Sequence, residues 1–154
     1  MRSSDIPAGR ELRGSPQRLR ACLMGEAILM RTFLGCVMIS NAALFFFGAF
    51  QHAGIAIGRF HEPRIVPATI VESLCGLSLV WGVAAVFGHS TVEWRTAIIA
   101  NLVPLGGVLL GMAALAAGRG PRTASNDLYH HIMLALIGAS LLILFLARSA
   151  LNRS

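Results

Sequence analysis

The sequence has no lysine and a single tyrosine: all 13 basic residues are arginine, and only seven residues are acidic. No stretch interleaves basic with aromatic residues over a soluble fold, which argues against a nucleic-acid partner. The net charge of +6 sits mainly in the N-terminal tail and the loops, where an anionic membrane surface accounts for it. Cys22, Cys36 and Cys75 form neither a CxxC pair nor a zinc spacing. Cys36 and Cys75 fall inside apolar runs, where a thiol acts as a small apolar group. Cys22 lacks the preceding apolar run of a lipoprotein signal. There is no HExxH or CxxCH, and nothing has the nucleophile-and-base logic of a hydrolase. The chain is therefore not read as an enzyme acting on its own.

What is abundant is apolar sequence, at 55% of the 154 residues. It falls into four runs, over residues 32–57, 65–88, 96–117 and 129–147. A helix needs about 20 apolar residues to cross a bilayer, so each run suffices. The fold class expected is all-α: a polytopic membrane protein, a bundle of four transmembrane helices spanning residues 29–150. Residues 1–28 are basic, contain Pro7 and Pro16, and read as a disordered tail. Met24 and Met30 stand just before the first run and are alternative translation starts to Met1. The first run is too long for a signal peptide and lacks a small-residue cleavage pattern after it.

Small residues one turn apart let helices approach closely. Gly54 with Gly58, and Gly107 with Gly111, are the pairs expected to pack helices, and Ala135 with Ala139 offers another such face. Pro67 falls in the first turn of the second span, where a missing N–H is harmless. Pro104 is expected to kink the third span. Asn101, on the level of Ser40 and Asn41, reads as an interhelical hydrogen bond. Asn126 or Asp127 is expected to cap the fourth helix.

Four spans put both termini on one side. Near span ends, Arg18, Arg20, Arg31, Arg95, Arg148 and Arg153 lie on the terminal side, against Arg59, Arg64, Arg119 and Arg122 on the other. The excess favours cytoplasmic termini. A start at Met24 would make the count even.

The one carboxylate well inside a run is Glu72, eight residues beyond Arg64 and so about 12 Å along the helix. An acidic residue at the centre of a spanning helix costs roughly 2.5–3.5 kcal/mol to insert. A residue that costly normally faces the bundle interior, is protonated, or has a partner, and is a functional candidate. Thr69, Cys75 and Gly76 share its face at i−3, i+3 and i+4. The topology brings other polar groups to the same end: His52, the loop residues His61 and Glu62, and Asp127, Tyr129, His130 and His131 at the start of the fourth span. Asp127 can share a face with His130 or His131. Three readings follow. His52, Glu72 and one of His130 or His131 bind a metal or a cofactor such as haem or quinone. Alternatively, His52 and Glu72 form a buried proton-sharing pair in a transport path. In the third reading, the histidines cap the interface and Glu72 bonds a neighbouring helix.

The run Ile70-Val71-Glu72-Ser73-Leu74-Cys75-Gly76-Leu77-Ser78-Leu79 resembles DoxX-like membrane proteins, in which a glutamate opens a Gly- and Leu-rich second helix. An arginine precedes the first helix in that family, and Arg31 does so here. The resemblance implies a four-helix, multi-pass protein of a bacterial inner membrane. It implies an accessory or structural subunit, in some relatives of a quinone-linked redox complex. Partners would then be the lipid bilayer and other membrane subunits or copies of itself. Only Glu72 carries over by position. The main alternative is a proton-coupled small-molecule transporter using Glu72, followed by a haem- or metal-binding redox protein.

Overall fold

A computed structural model describes residues 16–56, 58, 63–88, 91–120 and 122–151. These form four helices and, among the described residues, no strand: α1 (Pro16–His52), α2 (Val66–Phe87), α3 (Thr91–Ala116) and α4 (Ala124–Leu151). Each contains a segment long and apolar enough to cross a membrane: Met24–His52, Val66–Phe87, Trp94–Ala116 and Ala124–Arg148. At 1.5 Å per residue, the 22 residues of α2 span about 33 Å, close to a hydrocarbon core.

The helices run up and down in a ring. Each packs on the next and α4 closes against α1, while across the diagonals of the described helices only side chains reach. One stripe of each helix turns inward. On α2 it is Glu72, Cys75, Gly76, Leu79, Gly82 and Val86, the spacing of a single helix face. Leu34, Met38, Phe45, Met133, Ile137 and Leu144 meet it from α1 and α4. The opposite faces are equally apolar: Leu74, Trp81, Leu110, Leu142 and Phe145 are exposed. A helix that is hydrophobic on all sides belongs in lipid.

The helix ends correct several expectations. The tail expected to be disordered to residue 28 is helical from Pro16. Proline suits a first turn, and Ala21, Leu23, Met24, Glu26 and Ala27 are strong helix formers. Residues 1–15 lie outside the described residues. At the other end, α1 stops at His52, short of 57. Gly54 adopts φ +87°, its N–H donates to Gln51 O, and Ile55 N–H donates to Phe50 O. These two bonds form a Schellman motif. Gly54 is thus a helix stop, and Gly58 (φ +62°) lies beyond the helix, so the two are not a packing pair. Gly118 ends α3 the same way, with φ +71° and bonds to Leu115 O and from Arg119 to Ala114 O. The fourth helix begins five residues earlier than expected. Its cap is Thr123, whose hydroxyl accepts from Asn126 N–H at 3.1 Å, not Asn126 or Asp127.

Gly107 and Gly111 lie where helices touch inside the chain. A Cβ at Gly107 would stand 2.5 Å from Cys75 Sγ on α2, and one at Gly111 would collide with the His130 ring on α4. Pro104 is buried within an unbroken α3. Lacking an N–H, it leaves the carbonyl of Ala100, four residues back, without its helical donor. The Ser78 hydroxyl of α2 reaches that carbonyl at 3.1 Å while also lying 2.8 Å from Cys75 O. A neighbouring helix thus satisfies a polar group that lipid could not. Asn101 makes no interhelical bond among the described residues. Its amide donates to Ala97 O on its own helix at 2.9 Å. The bond across the bundle is instead Asn41 Nδ2 to Ser140 Oγ, 3.2 Å, between α1 and α4. Ser40 points outward and bonds Cys36 O. Arg31 donates to Gly88 O at 2.8 Å, a cation at the C-terminal end of α2 where the helix dipole favours it.

Candidate functional site

Glu72 lies six residues into α2, about 9 Å from its start. The buried stripe of α2 turns it inward, and it is 7% exposed. His52 is the last residue of α1 and is 4% exposed. Its Nε2 stands 3.7 Å from Glu72 Oε1. The Schellman turn at Gly54 fixes where α1 ends, and Ile65 N–H bonds His52 O at 2.8 Å, so the start of α2 is tied to the residue that faces Glu72.

Tyr129 completes the corner from α4. Its hydroxyl hydrogen-bonds the Glu72 side chain and lies 3.4 Å from Leu44 O of α1. One hydroxyl proton therefore has two acceptors in reach. Gly48 makes this convergence feasible. A Cβ there would stand 2.7 Å from both Glu72 Oε1 and the Tyr129 hydroxyl, closer than any carbon tolerates. Three helices thus meet at a carboxyl, an imidazole and a phenol over a bare stretch of α1 backbone.

The corner is polar beyond what its own contacts satisfy. Glu72 Oε2 is buried and has no hydrogen-bond partner among the described residues. Both side-chain polar atoms of Gln51, one turn on from Gly48 and 5% exposed, are in the same condition. Buried polar groups are nearly always paired, and those left open call for an explanation such as a ligand, an ion or a chemical role.

The other predicted residues are elsewhere. His130 follows Tyr129 but points about 100° around the helix, against Gly111 of α3. Its Nδ1 lies 2.8 Å from Asn126 O. His131 is exposed, with Nδ1 2.7 Å from Asp127 O. The Asp127 carboxylate pairs with Arg122 Nε at 3.3 Å, not with either imidazole. These residues edge a separate cleft of about 220 Å³ between the ends of α3 and α4, floored by Met112 and Leu115. His52 and Glu72 are therefore brought together and His130 and His131 are not. Among the described residues, no three His, Cys, Asp or Glu side chains could hold one metal ion, and the proposed His52–Glu72–His130 or –His131 ligand set is not assembled. His61 and Glu62 lie outside the described residues.

The sequence puts Tyr129 and Gln51 at this end without assigning either a role, and does not single out Gly48. Signals existed. Tyr129 is the only tyrosine, and Gly48 and Gln51 lie four and one residues before His52, within one turn of it. Comparison with protein-family models, curated proteins and solved structures gave no match for this chain.

Proposed function

We propose that this is a small multi-pass membrane protein that binds and releases a proton at Glu72 as part of a coupled transport step. The observation that carries this reading is the position of the Glu72 carboxyl. It is buried about two turns inside an apolar bundle, between an imidazole 3.7 Å away and a phenol. Ionisable groups at such depth mark proton and substrate pathways. Imidazole and carboxyl at this separation pass a proton between them with little movement. The Tyr129 hydroxyl donates to the carboxylate when it is charged and can turn to Leu44 O when it is not, so the corner has a partner for both states.

We assign the chain to a bacterial cytoplasmic membrane with both termini inside, on the second-span resemblance and the arginine distribution. The corner then lies in the outer half of the bundle. The test is proton flux in liposomes. Glu72→Gln keeps shape and hydrogen-bonding capacity but cannot cycle a proton, so it should abolish substrate-driven flux while the purified variant keeps its helical spectrum and elution profile. If wild type and variant are equally silent and a partner chain co-purifies from the native membrane, the accessory-subunit reading replaces this one.

A further inference from the structure

The cleft between the ends of α3 and α4 is separate from the Glu72 corner, and the proton reading does not use it. It lies where the apolar spans Trp94–Ala116 and Ala124–Arg148 meet their connecting loop. That places it at the boundary between hydrocarbon and headgroups. Its floor is Met112, Leu115 and Ala116, and its rim includes Arg122, Asp127 and His131. The volume of about 220 Å³ is below the roughly 300–1,000 Å³ of pockets that enclose a whole small molecule. The cleft therefore suits one end of a molecule whose remainder lies outside it. Toward the membrane centre the same helix faces stay apolar and open. Leu109 shares the face of Met112 at i−3 and is exposed. Gly138 shares the face of His131 at i+7 and is exposed, and a Cβ there would meet nothing within 4 Å.

The rim sets the chemistry of the end that enters. From Gly118 to His131 the formal charges are Arg119 and Arg122 against Asp127 alone, an excess that favours an anion. Asp127 Oδ2 accepts from Arg122 Nε at 3.3 Å. This bond fixes the guanidinium at the rim and uses one of its five N–H groups. The terminal nitrogens make no bond among the described residues, and their fork matches the oxygens of a phosphodiester. His131 adds a second requirement. Its Nδ1 lies 2.7 Å from Asp127 O. A carbonyl only accepts, so Nδ1 carries the proton, and Nε2 of the neutral ring is left as an acceptor. The incoming head needs a hydroxyl donor as well as negative charge. A glycerol phosphodiester has both. A phosphocholine head has no net charge and no donor, and a phosphoethanolamine head has donors but no net charge.

We propose that the α3–α4 cleft binds the headgroup of one anionic phospholipid of the phosphatidylglycerol class. Arg122 takes the phosphate, His131 takes a headgroup hydroxyl, and an acyl chain runs past Leu109 and Gly138. A free phosphate ester would leave the floor of Met112, Leu115 and Ala116 uncovered, which favours the lipid as the source.

The experiment is thermal unfolding of the full chain in neutral detergent, titrated with phosphatidylglycerol, phosphatidylcholine or phosphatidylethanolamine of identical acyl chains. A ligand that binds only the folded state raises the midpoint with the logarithm of its concentration over its dissociation constant. Phosphatidylglycerol should act at concentrations roughly fivefold below the other two, the advantage of one arginine beside an anionic head. Arg122→Gln should lose that advantage. It should keep the wild-type midpoint in detergent alone, because the pair with Asp127 is exposed and exposed pairs contribute little. Arg95→Gln, at an exposed position near the opposite end of α3, should retain the advantage. Equal responses to the three lipids overturn the proposal, as does a preference that survives Arg122→Gln. A preference that falls equally in Arg95→Gln overturns it too, by tracing the effect to overall positive charge. Equal protection by glycerol 1-phosphate would make the ligand a free headgroup and overturn the lipid assignment. None of these readouts involves flux, so the result stands or falls apart from the role of Glu72.

Discussion

The corner around Glu72 and the contact between Asn41 and Ser140 both bring polar groups into an apolar bundle, but they treat them differently. Asn41 donates to Ser140, and Ser140 donates to Leu136 O, so the contact is a short chain that ends on backbone. Around Glu72, three helices supply a carboxyl, an imidazole and a phenol, yet Glu72 Oε2 and Gln51 stay open. A closed chain holds helices together and can do little else. An open one has capacity to bind. Ser78 belongs with the first kind, since it answers a carbonyl that Pro104 leaves bare. Asn101 falls between them: its amide is used by Ala97 O, while Oδ1 is buried without a partner among the described residues.

Four substitutions test that division. Gly107→Leu should have the largest effect on stability. It drives a side chain into Cys75 and Val71 of α2, and overpacking of this kind costs about 1–3 kcal/mol or more. An unchanged unfolding midpoint in detergent would mean that α2 and α3 do not meet at Gly107. Gly48→Ala should separate stability from function. The atoms it displaces are the tips of the Glu72 and Tyr129 side chains, and alanine, the better helix former by about 1 kcal/mol, offsets what their shift costs. Its midpoint should hold, while liposome flux drops at least about tenfold, equivalent to about 1.4 kcal/mol of barrier. Full flux in Gly48→Ala would show that Glu72 and Tyr129 need not converge. Ser78→Ala should cost more than a typical bundle hydrogen bond, toward the upper limit of about 1.7 kcal/mol, because it strands the Ala100 carbonyl. A neutral result in chemical unfolding would mean that α3 bends to satisfy that carbonyl itself. Smallest is Ser140→Ala, at about 0.6 kcal/mol with flux unaltered. A loss of flux there would erase the distinction between the two kinds of contact.

Much of the fold was legible in the residues. Four apolar runs with short polar breaks specify four spanning helices, since backbone in lipid has few ways to satisfy its hydrogen bonds. Glu72 stood out because a carboxylate in such a run is expensive. Other features were misread for local reasons. Gly54 can stop a helix as readily as it can pack one, and only its positive φ shows which. Asn126, Asp127 and Thr123 are all good caps, and the choice among them depended on where α3 let the loop go.

Composition and periodicity by themselves determined the helix count, the up-down topology and the end of the bundle where the ionisable groups gather, because these follow from apolar length and chain order. Which of those groups meet was decided only by tertiary structure. His52, Tyr129 and His130 are equally polar and equally near the bundle end in sequence. Helix rotation sends His52 and Tyr129 to Glu72 and His130 to Gly111. That rotation is set by how all four inward stripes pack at once, a property no single segment contains.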